Sequence, residues 1–145
     1  MTIKNGSQIS LEFSLKLDDG SEIASNVHRI SQSVSSLNSQ KLPKQVSEPL
    51  YQISKTIKRS LDSSIEALLT KDIALANQIL DLKQTSEINL EELWKLCSNT
   101  SNSTLSNRNL SYFYLLIDCL KRINHHTAEI SEIAIDRAEA TKANV

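Results

Sequence analysis

Glycine and proline are nearly missing from this chain, with two of each in 145 residues. A sheet protein of that length needs many tight turns, and tight turns use those residues. Their scarcity argues against all-β arrangements and favours a few long helices with short connections. Cysteine is equally scarce: Cys97 and Cys119 stand in no CxxC pattern and read as reduced, packing thiols. No sign of charge predominates, since 16 basic residues face 17 acidic ones. The nearest thing to a basic run, Lys55, Lys58 and Arg59, reads as a solvated helix face, so no nucleic-acid partner is expected of this chain alone. No apolar stretch approaches the roughly 20 residues needed to span a bilayer. Met1 is followed by polar residues without a secretory pattern, and a cytoplasmic location is expected. Asn-x-Ser/Thr triplets at Asn5, Asn99, Asn102 and Asn109 then mean only that Asn and Ser are common. A glycine-rich phosphate loop, a serine-centred elbow and a usable Cys/His pairing are all lacking. Neither an enzyme nor a cofactor is indicated.

What the sequence does contain is helical periodicity. Val46, Leu50, Ile53, Ile57, Leu61, Ile65 and Leu68 recur at threes and fours, one stripe of a helix. Pro43 and Pro49 sit near its start, and Ser47 reads as the N-cap of the regular part. After a break at "LTKDIALANQ", with Asp72 as the expected N-cap, a second stripe carries Leu75, Ile79, Leu82, Ser86, Leu90, Leu93 and Cys97. The polar loop "SNTSNSTLSNRN" follows. A third stripe, Phe113, Leu116, Leu120, Ile123, Thr127, Ile130 and Ala134, is close to a heptad. These spacings predict three long antiparallel helices.

The N-terminus is ambiguous. In "ISLEFSLKLDDG" the apolar residues Ile9, Leu11, Phe13, Leu15 and Leu17 alternate as in a strand running into a turn. Yet an internal repeat appears at an offset of one hundred. Phe13, Leu15, Asp18, Ile23, Ile30 and Ser31 match Phe113, Leu115, Asp118, Ile123, Ile130 and Ser131. The second copy is plainly helical, so residues 8–37 are read as one helix carrying Gly20 at a cost of about 1 kcal/mol. A strand followed by a helix from Ser21 stays open as the alternative. The expected fold is all-α: an antiparallel bundle of three long helices plus an N-terminal helix, in a four-helix up-down arrangement.

"LLIDCLKRINHHTAEISEIAIDRA" is similar to the last helix of the phosphate-uptake regulator (PhoU-like) family. "SLDSSIEALLTKDIALANQILDL" resembles that family's first and second helices with the turn between them. "SEIASNVHRISQSVSSLNSQKLP" resembles the final helix and linker of a preceding repeat, and the order fits the C-terminal helical region of the archaeal two-repeat type. The resemblance implies an N-terminal helix and linker at residues 1–42 and a three-helix PhoU-like domain at 43–145. Nothing corresponds to the DNA-binding segment that precedes the repeats in many such members, so the chain is either a shortened relative or a fragment. The implied function is regulatory: an adaptor in phosphate homeostasis that docks onto a phosphate transporter or a sensor kinase. A homodimer that completes the repeat is a further possibility.

Many family members hold metal through carboxylates one helical turn apart, a hard-oxygen donor set on a shared face. Here Ser25 and His125 stand where the "RIxD" acids would be, and Lys83 and Gln84 replace others. No metal is therefore expected, with Glu87, Asp118 and His125 as the weak alternative set. Adjacent His125 and His126 point about 100° apart on a helix, which disfavours joint chelation. The resemblance implies a partner-contact surface, and its expected residues are Trp94, Tyr112 and Tyr114 at one end of the bundle. Glu129 and Glu132 of the acidic last-helix face, continued by Asp136 and Glu139, are expected to extend it.

Overall fold

A computed structural model of the chain describes residues 25, 26, 28–33, 44–99 and 107–144. All-α architecture holds throughout, with no strand among the described residues. The N-terminal helix is α1, helical at residues 25, 26 and 28–33. Three long helices follow: α2 (Lys44–Thr70), α3 (Ile73–Ser98) and α4 (Asn107–Ala143). The strand-or-helix question at residues 9–20, the remainder of the helix expected at 8–37 and most of the polar loop lie outside the described residues.

The start of α2 departs from expectation. Ser47 is not its N-cap, because the helix is already running at Lys44. Val46 is the reason: it is buried on the stripe of Leu50, Ile53 and Ile57, and only a helical backbone at 44–46 places it there. Pro49 then sits inside the helix. The carbonyl it leaves unbonded belongs to exposed Gln45, close enough to the helix start to be solvated.

Between α2 and α3 the chain reverses in two residues. Lys71 takes a left-handed conformation at φ 57°, and the Asp72 N–H donates back to Ala67 O at 3.1 Å. That six-to-one bond around a left-handed residue satisfies the Ala67 carbonyl in the last turn of α2. Asp72 also caps α3, its Oδ1 accepting from Leu75 N at 3.0 Å. The Lys71 side chain reaches Thr141 Oγ1 at 3.0 Å, so the far end of α4 lies beside this turn.

Contacts along α3 and α4 fix their antiparallel register. Trp94 touches Tyr114, Glu91 pairs with Lys121 at 3.9 Å, and Asn124 Nδ2 donates to Lys83 O at 3.1 Å. As α3 is followed backwards, its neighbours on α4 run forwards.

The bundle tapers along its length. Towards the α3–α4 connection the core is large and apolar, with Leu50, Ile57, Leu61, Leu90, Phe113, Leu116 and Ile123 interlocked. Each such fully buried side chain contributes about 1.5–3 kcal/mol of transfer free energy. Towards the α2–α3 turn buried Ala67, Ala76 and Ala134 form the centre, with partly buried Leu68, Leu75 and Ile135 packed around them. Between them lies a buried belt of Ser60, Ser64, Ser86, Asn124, Thr127 and Ser131. Ser64, Thr127 and Ser131 hydroxyls donate to carbonyls on their own helices, which makes their burial tolerable.

α4 is buried over a wide arc. Ile117 and Cys119, about 200° apart on a helix, are 4% and 0% exposed. The stripe expected on α4 is buried at every position, but Leu82 of the α3 stripe is 44% exposed. At that level α3 turns its Lys83 edge to α4, where the Lys83 carbonyl receives Asn124.

Two substitutions test the turn. Asp72→Ala should lower stability by about 1 kcal/mol through loss of the cap. Lys71→Gly should raise it by about 0.5–1 kcal/mol by removing left-handed strain. Urea titration of each variant reads both effects.

Candidate functional site

The sequence-predicted contact residues fall on two levels of the bundle, Trp94 on α3 and the others on α4. Tyr112 and Tyr114 are two residues apart and so point about 200° apart. Tyr112 and Trp94 are half-buried and pack against the main core, whereas Tyr114 is 49% exposed. Trp94 and Tyr114 meet ring against ring, tilted by 32°, across the α3–α4 seam. An aromatic pair thus closes the seam at the end of the large core, and Tyr112 belongs to the packing beneath it.

From Tyr114 the exposed edge of α4 continues through Asp118, Arg122, His125, Glu129, Glu132, Asp136 and Glu139. Its upper part is neutralised pairwise. Arg122 Nε donates to Asp118 Oδ2 at 3.1 Å, and Lys121 faces Glu91 across the seam. Its lower part is acidic, with Glu129 held between two imidazoles. His126 Nδ1 lies 2.7 Å from Glu129 Oε2, and His125 Nε2 lies 3.4 Å from Oε1. Adjacent histidines cannot stack on one side, but from positions i−3 and i−4 both reach the same carboxylate. The hydrogen bond from His126 is the main cause that holds Glu129 below the usual glutamate range, helped by the nearby charges of His125, His126 and Lys83.

The weaker metal set is not brought together. Glu87 pairs with Lys83 at 3.9 Å, Asp118 with Arg122, and His125 with Glu129. Among the described residues no group of three or more His, Cys, Asp or Glu side chains is arranged to hold a metal ion. Cys97 and Cys119 are buried thiols that form no disulfide, and burial pushes both up. They are packing residues rather than activated nucleophiles. The basic residues at 55–59 are a solvated face, with Lys58 paired to Asp62 at 3.4 Å and Lys55 Nζ 5.9 Å from the Tyr51 ring.

A chain of three long helices with a two-residue first turn is matched by the model of the PhoU domain over residues 50–134. The match runs from Leu50 of α2 to the Ala134 level of α4, more than half of the chain. The chain belongs to the PhoU domain family. Membership makes it a helical protein of phosphate-uptake regulation, in a family that is regulatory rather than enzymatic and interacts with other proteins. No curated protein and no solved structure gives a significant match. Among the described residues no helix is long and apolar enough to cross a membrane.

The histidine grip was not legible as a unit in the sequence; the signal available was HHxxE at helical spacing. Its pH dependence follows from the direction of the shift. A carboxylate whose pKa is lowered by folding adds stability that is fully present above its unfolded value, about 4.3. That stability is lost as pH falls through the lower folded value. Glu129→Gln should therefore be less stable than the parent near neutrality, by under about 1 kcal/mol because the group is half exposed. The two should converge as pH falls through the lowered folded value of the Glu129 carboxyl, in paired urea titrations across the acid range.

Proposed function

We propose that this PhoU-domain chain is a regulatory adaptor of phosphate uptake. It acts by docking a helix face onto a protein partner, a phosphate transporter or a sensor kinase. The observation that carries the reading is the family match over residues 50–134. The exposed edge of α4 supports it with a surface of suitable character. The Trp94–Tyr114 pair offers rigid aromatic area at one end. The acidic run of Glu129, Glu132, Asp136 and Glu139 offers charge at the other. Tyr114 and Glu129 are fifteen residues apart on α4, so about 22 Å of helix separates the two features. A partner that engages both presents an apolar socket and, at that distance, a basic patch.

In the same reading, residues 1–42 act as the last helix and linker of a preceding repeat, and residues 43–145 as the three-helix domain. α1 is then the fourth helix of the bundle, and dimerisation is a route by which two copies complement one another.

The test is binding to the transporter's cytosolic subunits and to the phosphate-sensing kinase of the same cell, each measured by titration. Trp94→Ala with Tyr114→Ala should weaken the complex by about 30-fold or more while the helical signal is retained. Charge reversal at Glu129 and Glu132 should act mainly on the association rate and its salt dependence. Unchanged affinity in a folded aromatic double variant would sink the surface assignment. Absence of binding to either partner class would sink the adaptor reading.

A further inference from the structure

We infer that the outer face of α3 is a self-recognition surface, through which two copies of the chain pair antiparallel about a two-fold axis between Ile88 and Asn89. α3 turns Ala76, Ile79, Ser86, Leu90, Leu93 and Cys97 inward, so its opposite side takes no part in the core. That side nevertheless keeps three large apolar residues in water: Leu82 at 44% exposure, Ile88 at 49% and Leu96 at 46%.

Their placement is symmetric. Leu82 and Leu96 stand seven residues either side of Asn89, and Asp81 and Lys95 stand seven either side of Ile88. All six are exposed, and residues seven apart share a helix face. A two-fold axis perpendicular to the helix exchanges the two ends of each column. Leu82 then meets the second copy's Leu96, Asp81 meets its Lys95, and Ile88 and Asn89 each meet their own counterparts. Between the columns run Gln78, Thr85, Glu92 and Asn99, also exposed and seven apart. The same axis sets the Thr85 hydroxyl opposite a Glu92 carboxylate and the Gln78 amide opposite that of Asn99. One patch that complements itself in this way is what an isologous contact requires. A parallel pairing would instead set acid on acid and base on base, so the charges select the antiparallel one. Asp81 and Lys95 have charge to offer, since neither side chain enters an ion pair among the described residues. From Gln78 to Asn99 the face is about 32 Å long. A single helix pair with a polar middle falls at the small end of specific interfaces, so the dimer is weak and exchanging. The surface lies on α3 rather than on the exposed edge of α4, and the inference stands or falls apart from the adaptor reading.

Sedimentation velocity of the full chain alone, over concentrations reaching the millimolar range, should show a monomer–dimer equilibrium. Ile88→Arg sets two like charges on the axis and should weaken the dimer by about tenfold or more, with the helical signal retained. Asp81→Lys should weaken it similarly. Adding Lys95→Asp reverses the pair instead of breaking it, and should restore association to within about twofold. Thiol pairing reads the register. Ile88→Cys should link rapidly into a disulfide dimer on mild oxidation. Leu82→Cys should not, because its counterpart lies about 21 Å along the helix, but it should link when mixed with Leu96→Cys. A chain that stays monomeric throughout the series would overturn the inference. So would a dimer that Ile88→Arg leaves intact, or one that the reversed pair fails to restore.

Discussion

Burial on opposite flanks of one helix is the constraint from which the arrangement follows. α4 cannot hide both Ile117 and Cys119 against a single neighbour. It therefore takes both α3 and α2 as neighbours, and Ile30 of α1 packs on the same core. The hydrogen bond from Asn124 to the Lys83 carbonyl and the seam contact of Trp94 with Tyr114 are both consequences of how α3 is seated against α4. What remains of α4 is a solvent-facing strip, and the strip is where charged and aromatic groups are free to meet another protein.

The two ends of the bundle solve different problems. At the α2–α3 turn the backbone is determined almost atom by atom: a left-handed Lys71, a six-to-one hydrogen bond, an Asp72 cap and a tie to Thr141. With alanines at its centre and Leu68, Leu75 and Ile135 partly buried around them, this end adds backbone hydrogen bonding to a smaller apolar core. The opposite end relies on volume, with Phe113 and the leucines of all three long helices interlocked. A bundle anchored this way has a geometrically exact end and a hydrophobic end, and the aromatic part of the proposed docking surface sits on the latter.

Much of this was legible in the sequence. Threes and fours find the full stripe of α4 from Phe113 to Ala134, because side chains that drive collapse are the ones periodicity weighs. The same template misses Ile117, Cys119 and Ala128, since a single stripe assumes one partner per helix and α4 packs against both α2 and α3. It places Leu82 inside for the complementary reason: α3 approaches α4 through backbone and small polar groups at that level. Asp72 is found because a cap is a local event, and Ser47 is misplaced because burial of Val46 extends the helix past a local signal. The hundred-residue repeat is a sequence fact that burial does not copy. Ser131 is fully buried and Ser31 only partly, as expected when one copy sits at the centre and the other at the rim.

The belt of Ser60, Ser64, Ser86, Thr127 and Ser131 carries an evolutionary consequence. Where helices approach over such small side chains, one added methylene has nowhere to go, and overpacking costs about 1–3 kcal/mol. Substitution across the belt is therefore confined to exchanges among Ala, Ser, Thr, Cys and Gly. The leucine and isoleucine end tolerates reshuffling at constant volume. Descendants of this chain should diverge quickly at the wide end and slowly at the belt, so the polar residues of the interior would outlast the hydrophobic ones as a lineage marker.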